Sequence, residues 1–151
     1  MANELKQVYG SATTVIDLTA DLTNGNVGGG TAALDNTTNH YPYALAVFNN
    51  PGTFSAAPTN NSTVNLYMVR QNTDSTSDDT AAPTGTDVES AQFVGAFPIY
   101  DSDEEQRVSI VIDIAGVTNA LFYIENKTGV TITGSGSHIY VKVTPFSYAP
   151  T

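Results

Sequence analysis

Along its clearest windows the chain alternates apolar and polar residues with a period of two. That period belongs to a strand, in which successive side chains point to opposite faces. Over Thr63 to Gln71, Val64, Leu66 and Met68 share one face, while Thr63, Asn65, Tyr67 and Gln71 share the other. Over Gln106 to Ile114 the inward set is Val108, Ile110, Ile112 and Ile114 against Arg107, Ser109 and Asp113, a density of isoleucine that predicts a central strand. Ile139, Val141 and Val143 repeat the pattern against His138, Tyr140 and Lys142. Tyr43 to Phe48, Phe93 to Ile99 and Leu121 to Ile124 are apolar on both faces, as in strands covered on both sides. Leu5 to Tyr9, Thr14 to Leu18 and Val130 to Thr133 complete a set of eight or nine short strands. Pro98 and Pro145 fall inside two of them, which predicts edges or bulges, where a missing N–H does no harm.

Three long spacers punctuate this pattern. Asn24 to Asn39 holds Gly28-Gly29-Gly30, Asn49 to Ser62 holds Pro51-Gly52 and Asn60-Asn61, and Asn72 to Ser90 is polar, with Asp74, Asp78, Asp79, Asp87 and Glu89. All three read as surface loops for contact or display. Composition agrees with the strands, since 21 Thr, 14 Val and 8 Ile put 43 of 151 residues in the β-branched class that suits a pleated sheet. The prediction is an all-β fold, an antiparallel β-sandwich that is jelly-roll-like, with long polar loops. A chain of this length with 40% apolar residues supports one core. Residues 13–151 therefore read as a single β-sandwich domain, preceded by residues 1–12 as an N-terminal arm or edge strand.

Charge and residue usage narrow the chemistry. Five Lys and Arg against fifteen Asp and Glu give a net charge of -10, the wrong sign for neutralising phosphates, so no nucleic acid partner is expected. No apolar run approaches the roughly eighteen residues that cross a bilayer, and the start lacks a signal-peptide pattern, so neither membrane nor the usual export route is expected. The absence of cysteine excludes disulfides, thiol catalysis and thiolate metal ligation. His40 and His138 are the only imidazoles, and no serine sits in a G-x-S-x-G elbow. Gly134-Ser135-Gly136-Ser137-His138 reads as a turn before a strand, and Gly28 to Gly30 lacks both the spacing and the lysine of a phosphate loop. Asp101, Asp103 and Glu105 alternate along one side of an extended segment; this reads as a solvated acidic turn, with calcium ligation as the alternative. Glycosylation acceptor patterns begin at Asn36, Asn60, Asn61 and Asn126, and read as incidental to the richness in Asn and Thr. No enzymatic activity, cofactor or metal is expected. Recognition falls instead to tyrosines, with Tyr41 and Tyr43 on one side of a strand and Tyr67 and Tyr140 on polar faces.

Three stretches carry a resemblance to a known family: Asn3-Glu4-Leu5-Lys6-Gln7-Val8-Tyr9-Gly10, Ala33-Leu34-Asp35-Asn36-Thr37-Thr38-Asn39 ahead of Tyr43 to Phe48, and Phe122-Tyr123-Ile124-Glu125-Asn126-Lys127-Thr128-Gly129 ahead of the final strand. In these the chain resembles small β-sandwich virion proteins of tailed bacteriophages. It departs from them in Leu121-Phe122, where the family has a tryptophan, and in the acidic loop of residues 72–90. The resemblance implies a capsid decoration or cement protein on the outer surface of the head, assembled in the host cytoplasm. Its partners would be the major capsid protein and copies of itself, as a trimer. Contacts are expected through Leu5, Val8, Tyr9, Tyr41, Tyr43, Phe48 and Tyr67, with the Met1 to Gly10 arm adding a strand to a neighbour. The alternatives are a head-fibre or tail-associated module that recognises a host glycan through Tyr41, Tyr43 or the 72–90 loop, and a neck or tail-completion component.

Overall fold

The computed structural model describes residues 4–72, 83–88 and 91–150. Among them there is no helix, and ten strands form two antiparallel sheets around one core. Sheet I consists of β1 (Leu5–Tyr9), β2 (Thr13–Leu18), β5 (Tyr43–Asn50), β8 (Gln106–Asp113) and β10 (Ile139–Pro150), in the order β1-β10-β5-β8 with β2 also on β10. Sheet II consists of β3 (Val27–Gly29), β4 (Leu34–Asp35), β6 (Thr63–Arg70), β7 (Gln92–Pro98) and β9 (Asn119–Lys127), in the order β3-β9-β6-β7 with β4 also on β9. The acidic residues Asp74, Asp78, Asp79 and Glu89 of the expected 72–90 loop lie outside the described residues.

The inward faces are the alternating sets read from the sequence. Val64, Leu66 and Met68 of β6 and Val141 and Val143 of β10 are buried, together with Ala44, Ala46 and Phe48 of β5 and Phe122 and Ile124 of β9. Phe48 of sheet I meets Phe97 of sheet II with ring centroids 5.7 Å apart. These contacts remove large apolar surfaces from water and supply the main drive for folding.

Four expectations change. The isoleucine-rich β8 is the edge of sheet I and pairs only with β5; its inward residues are covered by the facing sheet, which a central strand and a half-covered edge strand satisfy equally. Val130 to Thr133 forms no strand, because only Ile132 bridges, to Leu22 and to Phe54. Pro145 lies inside β10, a strand with partners on both sides. In an antiparallel ladder one residue's N–H and C=O point the same way. The Pro145 carbonyl accepts from the Gly10 N–H at 2.7 Å, so the missing Pro145 N–H faces the break between β1 and β2, outside the paired residues of either strand.

The fourth concerns the Gly28 to Gly30 run, read as loop, in which Gly28 and Gly29 belong to β3 against β9. Gly29 has φ 145° and Gly30 φ 68°. A Cβ on Gly29 would collide with the carbonyl oxygen of Phe122 and lie 2.7 Å from the Cα of Tyr123. Glycine is what lets this backbone approach its neighbour. Gly29→Ala is expected to cost about 1–3 kcal/mol, read as a fall in melting temperature by circular dichroism; an unchanged midpoint would contradict the close approach.

The connections 19–26, 51–62, 99–105 and 128–138 gather at one end of the sandwich, and polar side chains tie them together. Asn126 is fully buried there. Its Nδ2 donates to the carbonyls of Leu22 (2.7 Å) and Val130 (2.8 Å), and its Oδ1 accepts from Thr128 N (2.9 Å) and Thr128 Oγ1 (2.7 Å). Two of the glycosylation patterns are thus built on inward-facing amides, since Asn36 is buried as well. Asp21 pins the turn before β10, accepting from the N–H groups of Gly134 (2.9 Å) and Ser135 (3.0 Å). These donors hold its carboxyl below the ordinary 3.8. A depressed carboxylate contributes stability above its unfolded pKa and loses it as pH falls through the folded value. The amide shifts of Gly134 and Ser135 are therefore expected to titrate with Asp21, with a midpoint below 3.8 in an NMR pH series. Amides that stay still through the acid range would contradict the cap.

Charge is segregated between strands and connections. All five Lys and Arg lie in strands: Lys6, Arg70, Arg107, Lys127 and Lys142. Among the described residues Glu4, Asp21, Asp87, Asp101, Asp103, Glu104 and Glu105 lie outside them. Sheet I sets Lys6, Arg107 and Lys142 against only Asp17 and Asp113, so the acidic excess is not on its strands.

Candidate interaction surface

The outer face of sheet I carries an aromatic cluster at the end where the described chain begins and ends. Register places Tyr9, Phe146 and Tyr43 side by side across β1, β10 and β5. Phe146 is the hub. Its ring centroid lies 5.6 Å from Tyr9, 5.7 Å from Tyr43 and 5.7 Å from Tyr148. Phe146 is buried yet does not belong to the core between the sheets, because the three tyrosines cover it from outside. Polar ends of the cluster are tied by Gln7, whose Nε2 donates to the Tyr148 hydroxyl at 3.2 Å and whose Oε1 accepts from the Tyr9 hydroxyl at 2.7 Å. Leu5 (68% exposed) and Val111 (61%) extend the apolar surface on either side.

Beyond Phe146, the register partner of Tyr43, residues 147–150 of β10 have no β5 neighbour and pair with β1 alone. The result is a two-stranded ribbon whose β1 strand is exposed at every residue. Leu5, Val8 and Tyr9, all expected contact residues, lie on it, with Val8 on the opposite face from the cluster. Residues 1–3 of the expected arm lie outside the described residues.

The remaining contact residues divide differently. Tyr43 is exposed in the cluster, but Tyr41 does not share its side. Asn36 brackets the Tyr41 backbone, accepting its N–H at 2.9 Å and donating to its carbonyl at 2.9 Å. The chain thus enters β5 only at Tyr43, and Tyr41 packs against the core instead. Phe48 is wholly enclosed against Phe97, so it supplies packing and no surface. Tyr67 is half-buried on the outer side of sheet II, edge-on to Phe93 at 5.7 Å. Its hydroxyl donates at 2.9 Å to the buried Glu125, whose other oxygen meets Lys127 Nζ at 2.6 Å. Desolvation and then the Glu125 carboxylate push the Tyr67 phenol up, and the same carboxylate raises the Lys127 ammonium. This group satisfies itself internally. Sequence reasoning missed Phe146 and Tyr148, because the alternation it named stops at Val143 and Pro145 reads as an edge or bulge; their period-two spacing with Tyr140 was the available signal.

The chemical candidates are placed as follows. His138 Nδ1 lies 2.6 Å from Asp17 Oδ1, its one hydrogen-bond partner among the described residues, beside an open groove of about 330 Å³ lined by Thr14, Asp17, Tyr140 and Lys142. Lys142 Nζ sits 5.5 Å from the Tyr140 ring centroid. His40 lies in an exposed turn at φ 48°. Among the described residues no three His, Asp or Glu converge on a point that would hold a metal ion. The Asp101 to Glu105 segment is instead an exposed turn organised by Gln106, whose Oε1 accepts from Tyr100 N at 2.8 Å and whose Nε2 donates to the carbonyls of Tyr100 (2.9 Å) and Ser102 (2.7 Å). No helix among the described residues is long and apolar enough to cross a membrane. Comparison with protein-family models and with curated proteins finds no match to this chain.

Proposed function

We propose that this protein is a virion structural component, a decoration or cement protein that docks on the outer surface of a phage head and stabilises it. The observation that carries the reading is the aromatic face of sheet I, a solvent-facing apolar patch built on a hub residue that has no role in the core. Such a patch on a soluble domain marks a contact site. The first stretch that resembles phage virion proteins, Asn3 to Gly10, contributes Leu5 and Tyr9 to it. Taking β1 with β2 and β3 with β4 as interrupted single strands leaves four strands to each sheet, which supports a jelly-roll winding. The partners are the major capsid protein and further copies of this chain. The mechanism is mass action: a protein that binds the expanded shell better than the immature one stabilises the expanded form in proportion to its occupancy. The acidic residues of connections 19–26 and 99–105 lie at the opposite end of the sandwich from the aromatic cluster, and the net charge of -10 disfavours capture of DNA.

The test mixes purified protein with expanded and immature heads and measures copies bound per particle. High occupancy is expected on expanded heads only, and deletion of Met1 to Gly10 is expected to abolish it while the circular dichroism spectrum of the sandwich persists. Equal binding to both forms, or unchanged occupancy after the deletion, would overturn the reading. The polar groove around Asp17, His138, Tyr140 and Lys142 favours a second reading, a fibre or tail module that holds a host glycan. That reading expects the isolated protein to be stabilised thermally by a polysaccharide from a panel.

A further inference from the structure

We propose that two copies of this chain join through the free edge of β1, in an antiparallel register centred on Gln7, so that sheet I runs on from one copy into the next. The inference goes beyond the virion reading, since it holds whatever the protein decorates.

Backbone direction comes first. The Gly10 N–H reaches the Pro145 carbonyl, and strand residues alternate in the side to which their N–H and C=O point. Val8 and Lys6, opposite Ser147 and Ala149, therefore also face β10. The backbone groups of Leu5, Gln7 and Tyr9 face outward, where no further strand of sheet I lies among the described residues. The ribbon of β1 with residues 147–150 stands beyond the end of β5, and a two-stranded ribbon is marginal by itself in water. Of the devices that blunt an exposed edge, β1 has only the charge of Lys6 and no proline.

The sequence of the strand then selects a second copy as the occupant, because it is complementary to itself. With Gln7 opposite Gln7 of the second copy, Leu5 stands opposite Tyr9, Lys6 opposite Val8, and the outward groups of Leu5, Gln7 and Tyr9 complete about six ladder bonds. An apolar residue opposite an aromatic one is a favourable cross-strand pair, and no like charges face each other. The neighbouring registers are worse. Centring on Lys6 sets two ammonium groups directly opposite, and centring on Val8 pushes Leu5 past Gly10, where the strand has ended. The seam also lies on the sheet whose strands carry little net charge, Lys6, Arg107 and Lys142 against Asp17 and Asp113, which limits the repulsion between two chains of net charge -10. A two-fold axis at Gln7 finally sets Leu5 of one copy against Tyr9 of the other, merging the two aromatic clusters into one face.

The experiment uses the 151-residue chain, which has no cysteine to interfere. Sedimentation equilibrium is expected to give a concentration-dependent dimer of twice 15.9 kDa. Gln7→Cys is expected to cross-link nearly completely under mild oxidation, since a hydrogen-bonded antiparallel pair holds its Cα atoms about 5.5 Å apart. Val8→Cys and the exposed Val111→Cys are expected to cross-link at least tenfold more slowly. Gln7→Pro removes an N–H that faces the edge and not β10, so it is expected to give a monomer that keeps its strand content. A monomer at all concentrations, a trimer, or a dimer in which Val8→Cys or Val111→Cys cross-links as fast as Gln7→Cys would overturn the proposal. Dimerisation without any binding to heads would overturn the virion reading alone.

Discussion

Phe48→Ala is expected to remove about 3–5 kcal/mol of stability, because it deletes a ring at the centre of the core and the surroundings relax only partly into the space. Phe48 has no exposure and stacks on Phe97 from the opposite sheet, so the loss falls on the contact that holds the two layers together. A domain of this size commonly has about 5–15 kcal/mol in total. The variant should therefore unfold at markedly lower urea, with an unchanged slope of the transition. Tyr43→Ala, in the same strand but on the other face, should move the urea midpoint little and, under the proposed function, weaken attachment to heads. A midpoint for Phe48→Ala within about 1 kcal/mol of the parent protein would mean that the core is not packed as described.

Asn126→Ala is expected to be as damaging for a different reason. Removing the side chain leaves the Leu22 and Val130 carbonyls, the Thr128 N–H and the Thr128 hydroxyl without their Asn126 bonds. Three of these retain a second partner, since Thr128 Oγ1 and the Val130 carbonyl lie 3.1 Å apart and Leu22 O accepts from Ile132 N at 3.0 Å, so the Thr128 N–H is the group left unsatisfied in a space emptied of the Asn126 side chain. A buried group left unsatisfied costs about 1–3 kcal/mol, so a total of about 3 kcal/mol is expected. Asn126→Asp distinguishes bonding from volume. It keeps the size and the acceptor but turns the donor toward two carbonyl oxygens into a second acceptor, so it should also destabilise, most strongly at neutral pH where the carboxylate would be charged. Urea titrations of both variants at two pH values check this, and an Asp variant as stable as the parent would remove the donor role.

Where one face of a strand is buried, period-two reading worked. β6, β8 and the first half of β10 have their inward residues where Val64 to Met68, Val108 to Ile112 and Ile139 to Val143 predict them. It failed where the governing term is not hydrophobic alternation. β3 is made by glycine steric freedom against β9, and two-residue β4 is too short to show a period. The second half of β10 was hidden by Pro145, whose tolerance depends on a gap between two strands more than a hundred residues earlier in the chain. The candidate interaction surface was legible in part. Leu5, Tyr9 and Tyr43 lie on it, but their organiser Phe146 follows that proline, and no local signal distinguishes an inward Phe48 from an outward Tyr43 in a segment apolar on both faces.

The pairing of Leu5–Tyr9 with residues 146–150 has a consequence for how the chain folds. The two strands of the ribbon are separated by well over a hundred residues, and among the described residues β1 has no other neighbour in the sheet. Closing so long a loop comes late on entropic grounds. The ribbon is therefore the element expected to dock last in folding and to fray first when the native protein is warmed.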